Sequence, residues 1–277
     1  METMNKPAVK ANLAILQGKR AIVFGAGGSI GAAVAKEFAA EGAEVFLSGR
    51  TKSNVGEVAR EIATAGGCSH AAVVDALDQG AVEAYIGGIA KEAAKVDIVF
   101  NATGPLASEY GNGKHAIDLE IEEFMVPLAT IVKSQFITAR AAARHMVKQR
   151  SGVIIFLTGS PARGHVEGAT AIGAAFGAIE TLMENLAVEI SPLGVRSVCL
   201  RTTANTDSRT IQQTIDALAS RMNVPKDQMI ATIASLNFLK VPASIGDTAK
   251  AAAFLASDRA RMMTATVVNA TAGAALD

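Results

Sequence analysis

From Arg20 onward the chain alternates between short apolar runs and longer segments whose apolar residues recur at helical period, with Gly or polar breaks between them. Apolar runs of strand length appear as AIVFG from Ala21, AEVFLSG from Ala43, AAVVD from Ala71, DIVFN from Asp97, GVIIFLT from Gly152, VRSVCL from Val195 and ATVVNA from Ala265. Helices are predicted to begin near Ile30, Asn54, Gln79, Glu122, Thr170 and Asp207. Pro127 is expected in or near a first turn, where its missing N–H is tolerated. Strands that are apolar throughout belong to a sheet covered on both faces. The pattern therefore predicts an α/β protein, a single-domain Rossmann-type doubly wound sheet of seven mainly parallel strands with helices on both faces. Residues 1–17 carry polar groups throughout and lack a signal-peptide core, so they read as an N-terminal extension before one domain at 18–277.

Composition narrows the function. A chain of 277 residues can bury one large core. Lys plus Arg equals Asp plus Glu at 26 each, with no block of like charge, which argues against nucleic acid and anionic membrane as partners. No charge-free apolar run is long enough to span a bilayer. Cys68 and Cys199 show no metal-ligand spacing and are too few for a disulfide framework, so no metal is expected and a reduced cytoplasm is the plain reading.

The first stretch that carries chemistry is FGAGGSIGAAVAKEFAAEGAEVFLSGR, Phe24 to Arg50. Glycines between a strand and a helix let the backbone approach a pyrophosphate, whose charge the N–H groups at the helix start can hold. Gly25, Gly27, Gly28, Ser29, Ile30 and Gly31 are thus candidate cofactor contacts. Glycine-rich turns also arise for packing reasons, but here the motif joins a strand to a helix and a second strand follows. An acidic residue at the end of that second strand would favour the free ribose of NAD. Gly49 and Arg50 stand there instead, and a guanidinium pairs with a 2′-phosphate, so NADP is favoured over NAD.

These residues resemble the short-chain dehydrogenase/reductase family, and the likeness runs from Leu16 to Gly273. That family's Thr-Gly-x-x-x-Gly-Ile-Gly loop is similar to Phe24 through Gly31, with Phe24 and Ser29 departing from it. Asp75, followed by Ala76, falls where the family places an aspartate against adenine, and Asn101-Ala102-Thr103-Gly104 resembles its Asn-Asn-Ala-Gly motif. The tail from Lys240 to Gly273 is also similar. The resemblance implies an oxidoreductase with a small-molecule substrate, a lid over the cleft at 203–240, and a homo-oligomer, dimer or tetramer.

The family's proton relay is not found where the resemblance would put it. Aligned through Leu186 to Glu189, the Tyr-x-x-x-Lys pair falls on Ile172 and Phe176 and the serine on Gly159; aligned through Phe124 and Phe136, the asparagine falls on Ile131. No Tyr follows Tyr110 and no Lys lies between Lys148 and Lys226, so a small slip of register cannot restore the pair. Substitutes are few: Ser160 and His165 in the loop after the fifth strand, with Arg163 and Glu167 beside them, then Tyr110 and His115. Thr202, Thr203, Asn205 and Thr206 either face the cofactor or cap the next helix. Ile211, Ile215, Leu218, Met229 and Ile230 of the lid either meet an apolar ligand or pack. Three readings stand: an NADP-dependent oxidoreductase of atypical site acting on a small apolar carbonyl or enoyl compound, a nucleotide-binding sensor or partner protein without turnover, and a non-redox lyase, isomerase or cyclase.

Overall fold

A computed structural model describes residues 14–93 and 95–277. Residues 1–13, most of the expected extension, lie outside the described part, whereas Leu16 is fully buried. The chain runs β1 (Arg20–Phe24), α1 (Ser29–Ala40), β2 (Glu44–Gly49), α2 (Lys52–Thr64), β3 (Cys68–Val73), α3 (Gln79–Ala93) and β4 (Ile98–Asn101). It continues with α4 (Ile121–Pro127), α5 (Lys133–Gln149), β5 (Val153–Gly159), α6 (Thr170–Ile190) and β6 (Arg196–Thr202). The last elements are α7 (Arg209–Met222), α8 (Lys226–Ser235), α9 (Ile245–Ala256) and β7 (Thr266–Asn269). The strands form one sheet in the order β3-β2-β1-β4-β5-β6-β7, and every pairing is parallel.

Strand alternation divides the core into two layers. Ile22 and Phe24 of β1, Val99 of β4, and Ile154 and Phe156 of β5 pack on one face with Val82 and Ile86 of α3, Met146 of α5, and Ile179 and Met183 of α6. Ala21, Val23, Ile98, Phe100, Val153 and Ile155 pack on the other with Val34 and Phe38 of α1, Ile62 of α2 and Leu255 of α9. Both faces are apolar because both are covered, which is why these strands read as continuous apolar runs. Among the described residues, one stretch, α6 with the turn after it, is long and apolar enough to cross a membrane. Its stripe of Ala171, Ala175, Ile179, Met183 and Ala187 is buried, as expected of a helix packed on a sheet.

One local feature differs from the sequence reading, and another decides between two of its alternatives. Pro127 ends α4 as its seventh residue rather than lying in its first turn, and a π-helical segment, Leu128–Val132, follows at once. A proline cannot donate to the i−4 carbonyl and crowds it, so the hydrogen-bond ladder re-forms at wider spacing. The lid's apolar residues pack on one another: Ile215, Ala219 and Met229 form a cluster with Ile211, Leu218 and Ile230 between α7 and α8.

Candidate cofactor and active site

The sheet changes winding direction between β1 and β4, and the loops leaving their carboxyl ends lie at the switch point where open α/β sheets bind ligands in a crevice. The β1–α1 loop is held close to the loop after β4. Gly25 has φ +71°, and a Cβ there would lie 2.8 Å from both Ala102 C and Thr103 N. A side chain at Gly31 would overlap the Gly25 carbonyl. Only glycine meets both demands. Helix α1 begins at Gly28 with no side-chain cap and no acidic residue in its first turn, leaving its N–H groups and positive dipole end for a ligand. Gly27 and Gly28 complete the turn, and Ile30 packs partly buried behind it. The Ser29 hydroxyl accepts a hydrogen bond from the Arg209 N–H at 3.1 Å, so the loop's serine ties it to the first residue of α7.

The other sequence-predicted contacts stand around this loop. Arg50 is exposed just past β2. Asp75 accepts a hydrogen bond from the Leu77 N–H at 3.0 Å, which shapes its own turn, and Ala76 is buried behind it. Asn101 is a structural clasp: its Oδ1 accepts from the Thr103 N–H at 2.8 Å, and its Nδ2 donates to Thr138 Oγ1 at 3.1 Å. Ala102 N–H donates to the Phe24 carbonyl, and the open side of Gly104 faces Ile131. The sequence reading did not single out Thr103. Its Oγ1 is buried without a hydrogen-bond partner among the described residues, and its backbone N packs against Gly25. A buried orphan hydroxyl is costly unless something meets it. These residues fit a dinucleotide, whose pyrophosphate Gly25 to Gly31 would hold.

Across the crevice the wall is apolar. Ile172 and Ile131 are each more than nine-tenths buried, and Ile131 lies in the π-helical segment. Phe176 packs over the end of β5: a Cβ built on Gly159 would lie 2.8 Å from its Cε2 and 3.4 Å from its Cδ2. Ser160 is nearly buried, and its hydroxyl pairs with Thr203 Oγ1 at 3.4 Å. Thr202, Asn205 and Thr248 close a network on themselves, with Thr202 Oγ1 to Thr248 Oγ1 at 2.8 Å. Thr206 donates to the Ala243 carbonyl, and the cap of α7 is Ser208. His165 is exposed in left-handed backbone at φ +49°. His115 and Glu167 face each other on the surface at 3.5 Å. Tyr110 belongs to the core, and burial pushes its hydroxyl up to about 12, well above the range of a useful proton donor at neutrality.

Sequence spacing gave no sign of the ion pair beneath this wall. Glu180 of α6 and Arg201 of β6 are both 2% exposed and meet in a two-point bridge, Nε to Oε1 at 2.8 Å and Nη2 to Oε2 at 2.9 Å. Thr158 donates to Glu180 at 3.2 Å, Arg163 reaches it from the loop at 3.5 Å, and Arg201 Nη1 pairs with Asp277. The Glu180 hydrogen bonds raise the Arg201 pKa further above its ordinary value. An arginine in a buried strand and a glutamate in an apolar helix are the signal, since buried charges need partners.

A parallel sheet whose switch point carries a glycine loop at a helix start defines a dinucleotide-binding α/β protein. The comparisons name the family. A family model described as enoyl-(acyl carrier protein) reductase matches residues 25–275. The short-chain reductase protein NovJ of Streptomyces niveus is 30% identical over 234 residues, 83% of this chain and 84% of its own. The chain belongs to the short-chain dehydrogenase/reductase family, an oxidoreductase family that uses NAD or NADP. A solved structure from Beutenbergia cavernae, described as an NAD(P)-dependent gluconate 5-dehydrogenase with bound NADP, matches at TM-score 0.80 and 27% identity, covering 94% of this chain and 98% of that one. Sorbitol-6-phosphate 2-dehydrogenase SrlD from Erwinia amylovora matches at TM-score 0.84 and 20% identity over 93% and 100% of the two chains, a likeness of fold alone.

Proposed function

We propose that the protein binds NADPH in preference to NADH and reduces a small apolar α,β-unsaturated carbonyl compound without a tyrosine–lysine relay. The observation that carries this reading is the juxtaposition of a dinucleotide cradle, with Thr103 Oγ1 unpartnered at its edge, and a wall made by Ile172 and Phe176. Arg50, exposed just past β2, would pair with a 2′-phosphate.

Bound NADPH supplies a hydride. Reduction of a plain ketone then needs a proton at oxygen, and losing a positioned acid costs roughly 10²–10⁴-fold in rate. An activated alkene relaxes that demand. Such a substrate would take that hydride at its β carbon and a water proton at its α carbon, and the charge that developed between the two would rest on its carbonyl oxygen. The oxygen needs hydrogen-bond donors rather than an acid, and the Ser160 and Thr203 hydroxyls stand together beside this wall. Phe176, only partly buried, offers apolar surface for the substrate, with Ile172 packed in the core behind it. The family model's description as an enoyl reductase agrees with this substrate class.

The test is turnover of a panel of enones, enoyl thioesters and saturated ketones with NADPH deuterated at its transferable position. The expected product carries that deuterium at the β carbon and, in D2O, solvent deuterium at the α carbon. NADPH that binds tightly but is not consumed by any of them would overturn the reductase and leave the second reading, a nucleotide-binding protein without turnover. Phe176 packed where a Gly159 side chain would lie is the observation that favours it.

We also propose a homo-oligomer. Exposed Phe136 on α5 and Val188 on α6 supply apolar surface for it. Sedimentation showing only monomer at micromolar concentration would contradict this.

A further inference from the structure

At the opposite end of the sheet, Glu44 and Cys68 are the first residues of β2 and β3 and are register partners. His70 follows Cys68 by two, so all three side chains emerge on one face of the sheet. The Glu44 carboxylate, the Cys68 thiol and the His70 imidazole place their ligand atoms within 4.8 Å of one another, with His70 Nε2 2.9 Å from Glu44 Oε1 and 4.0 Å from Cys68 Sγ. We propose that Glu44, Cys68 and His70 form a binding site for a thiophilic divalent cation, Zn2+ in the first instance.

The geometry distinguishes this from a nucleophile triad. A cysteine activated by a histidine uses one ring nitrogen, and the orienting carboxylate takes the other. Here the thiol and the carboxylate both approach Nε2, so the three groups converge on one point. Zinc bonded to nitrogen, oxygen and sulfur at about 2.0–2.3 Å spreads its ligand atoms roughly 3.3–3.8 Å apart. Small rotamer shifts of exposed side chains reach that arrangement.

The surroundings suit it. Arg20 Nε holds Glu44 Oε2 at 3.0 Å, orienting the carboxylate while Oε1 faces the histidine. Phe46 stacks on the His70 ring at 4.9 Å between centroids and fixes its plane. On binding, the Cys68 thiol gives its proton to solvent and the thiolate bonds to the metal. The negative charge so formed offsets the Arg20 cation nearby. Three protein ligands leave a fourth position for water or an exogenous ligand, the ligand count of an open zinc site rather than a closed structural one. The site lies at the amino ends of the strands, away from the cofactor loop at their carboxyl ends.

The test is titration of untagged, fully reduced protein with Co2+, followed by displacement with Zn2+. The expected result is one equivalent bound, with thiolate-to-cobalt charge-transfer absorption in the near ultraviolet and visible bands of four-coordinate geometry. Both should vanish on Zn2+ addition. Cys68→Ser should abolish the charge-transfer band. His70→Ala should weaken binding at least tenfold, and each variant should keep the native circular dichroism and melting curve. No charge-transfer band in the native protein, or binding indifferent to both substitutions, would overturn the proposal. NADPH binding is titrated in parallel and should not change with either variant.

Discussion

Replacing Gly159 with alanine probes the wall that stands where the family relay would be. The backbone at Gly159 is extended, φ −138° and ψ 168°, a conformation any residue adopts. With open space around it, such a substitution would stabilise the fold by about 0.4–1 kcal/mol through the unfolded chain. The new methyl instead lies 2.8 Å from Phe176 Cε2. Carbon atoms prefer about 3.5–4.0 Å, so the ring must retreat by roughly 0.7–1.2 Å. Overpacking of this kind costs about 1–3 kcal/mol, enough to reverse the sign. Phe176→Ala alone also destabilises, by less than the ~3–5 kcal/mol of a fully buried Phe because this ring is only partly buried. In the double variant the methyl enters vacated space, so its cost should fall below the sum of the singles by about 1–2 kcal/mol. Urea denaturation of the four proteins measures this, with melting shifts of about 2–4 °C per kcal/mol as a cross-check. Additive costs, or a Gly159→Ala protein more stable than the native one, would refute the packing argument.

Three further outcomes follow from the buried charges and thiols. Arg201→Met leaves Glu180 buried without its main partner and should cost about 3–5 kcal/mol in urea denaturation, and a cost below about 1 kcal/mol would contradict the pair's role. Arg201 holds the Asp277 carboxyl below its ordinary value, so this contribution is complete above about pH 3.9 and is lost as pH falls through the lowered folded value. Asp277→Asn should therefore be less stable than the native protein near neutrality and converge with it in acid, as urea midpoints across pH would show. Burial pushes the Cys199 thiol up to about 12 while Cys68 is exposed, so a thiol reagent should titrate one group in the folded protein and two after denaturation.

The sheet was legible because its strands are apolar throughout and separated by breaks of glycine and polar residues, so strand count and parallel order followed from alternation with helices. The start of β3 was read three residues late, at Ala71 rather than Cys68, because Cys68-Ser69-His70 lies on an edge strand with exposed positions and has no apolar run. The glycine-rich loop after β1 was visible because its glycines are demanded locally. Glu180 with Arg201, and Glu44 with Cys68 and His70, were not visible as groups. Their members are 21 and up to 26 residues apart; packing of α6 on β6 brings the first pair together, and the register of β2 with β3 brings the second group together. Thr103 was hidden for another reason: a threonine in a turn is ordinary until its hydroxyl is found buried without a partner.

Calorimetric titration of nucleotide-stripped protein with NADPH and NADH, repeated on Arg50→Ala, tests the central claim most directly. NADPH is expected to bind stoichiometrically and NADH more weakly, with a loss of roughly 10- to 100-fold in NADPH affinity on Arg50→Ala and NADH unchanged, the worth of a charge-assisted contact. Failure of either nucleotide to bind, or equal affinity for both in the native protein, would contradict it.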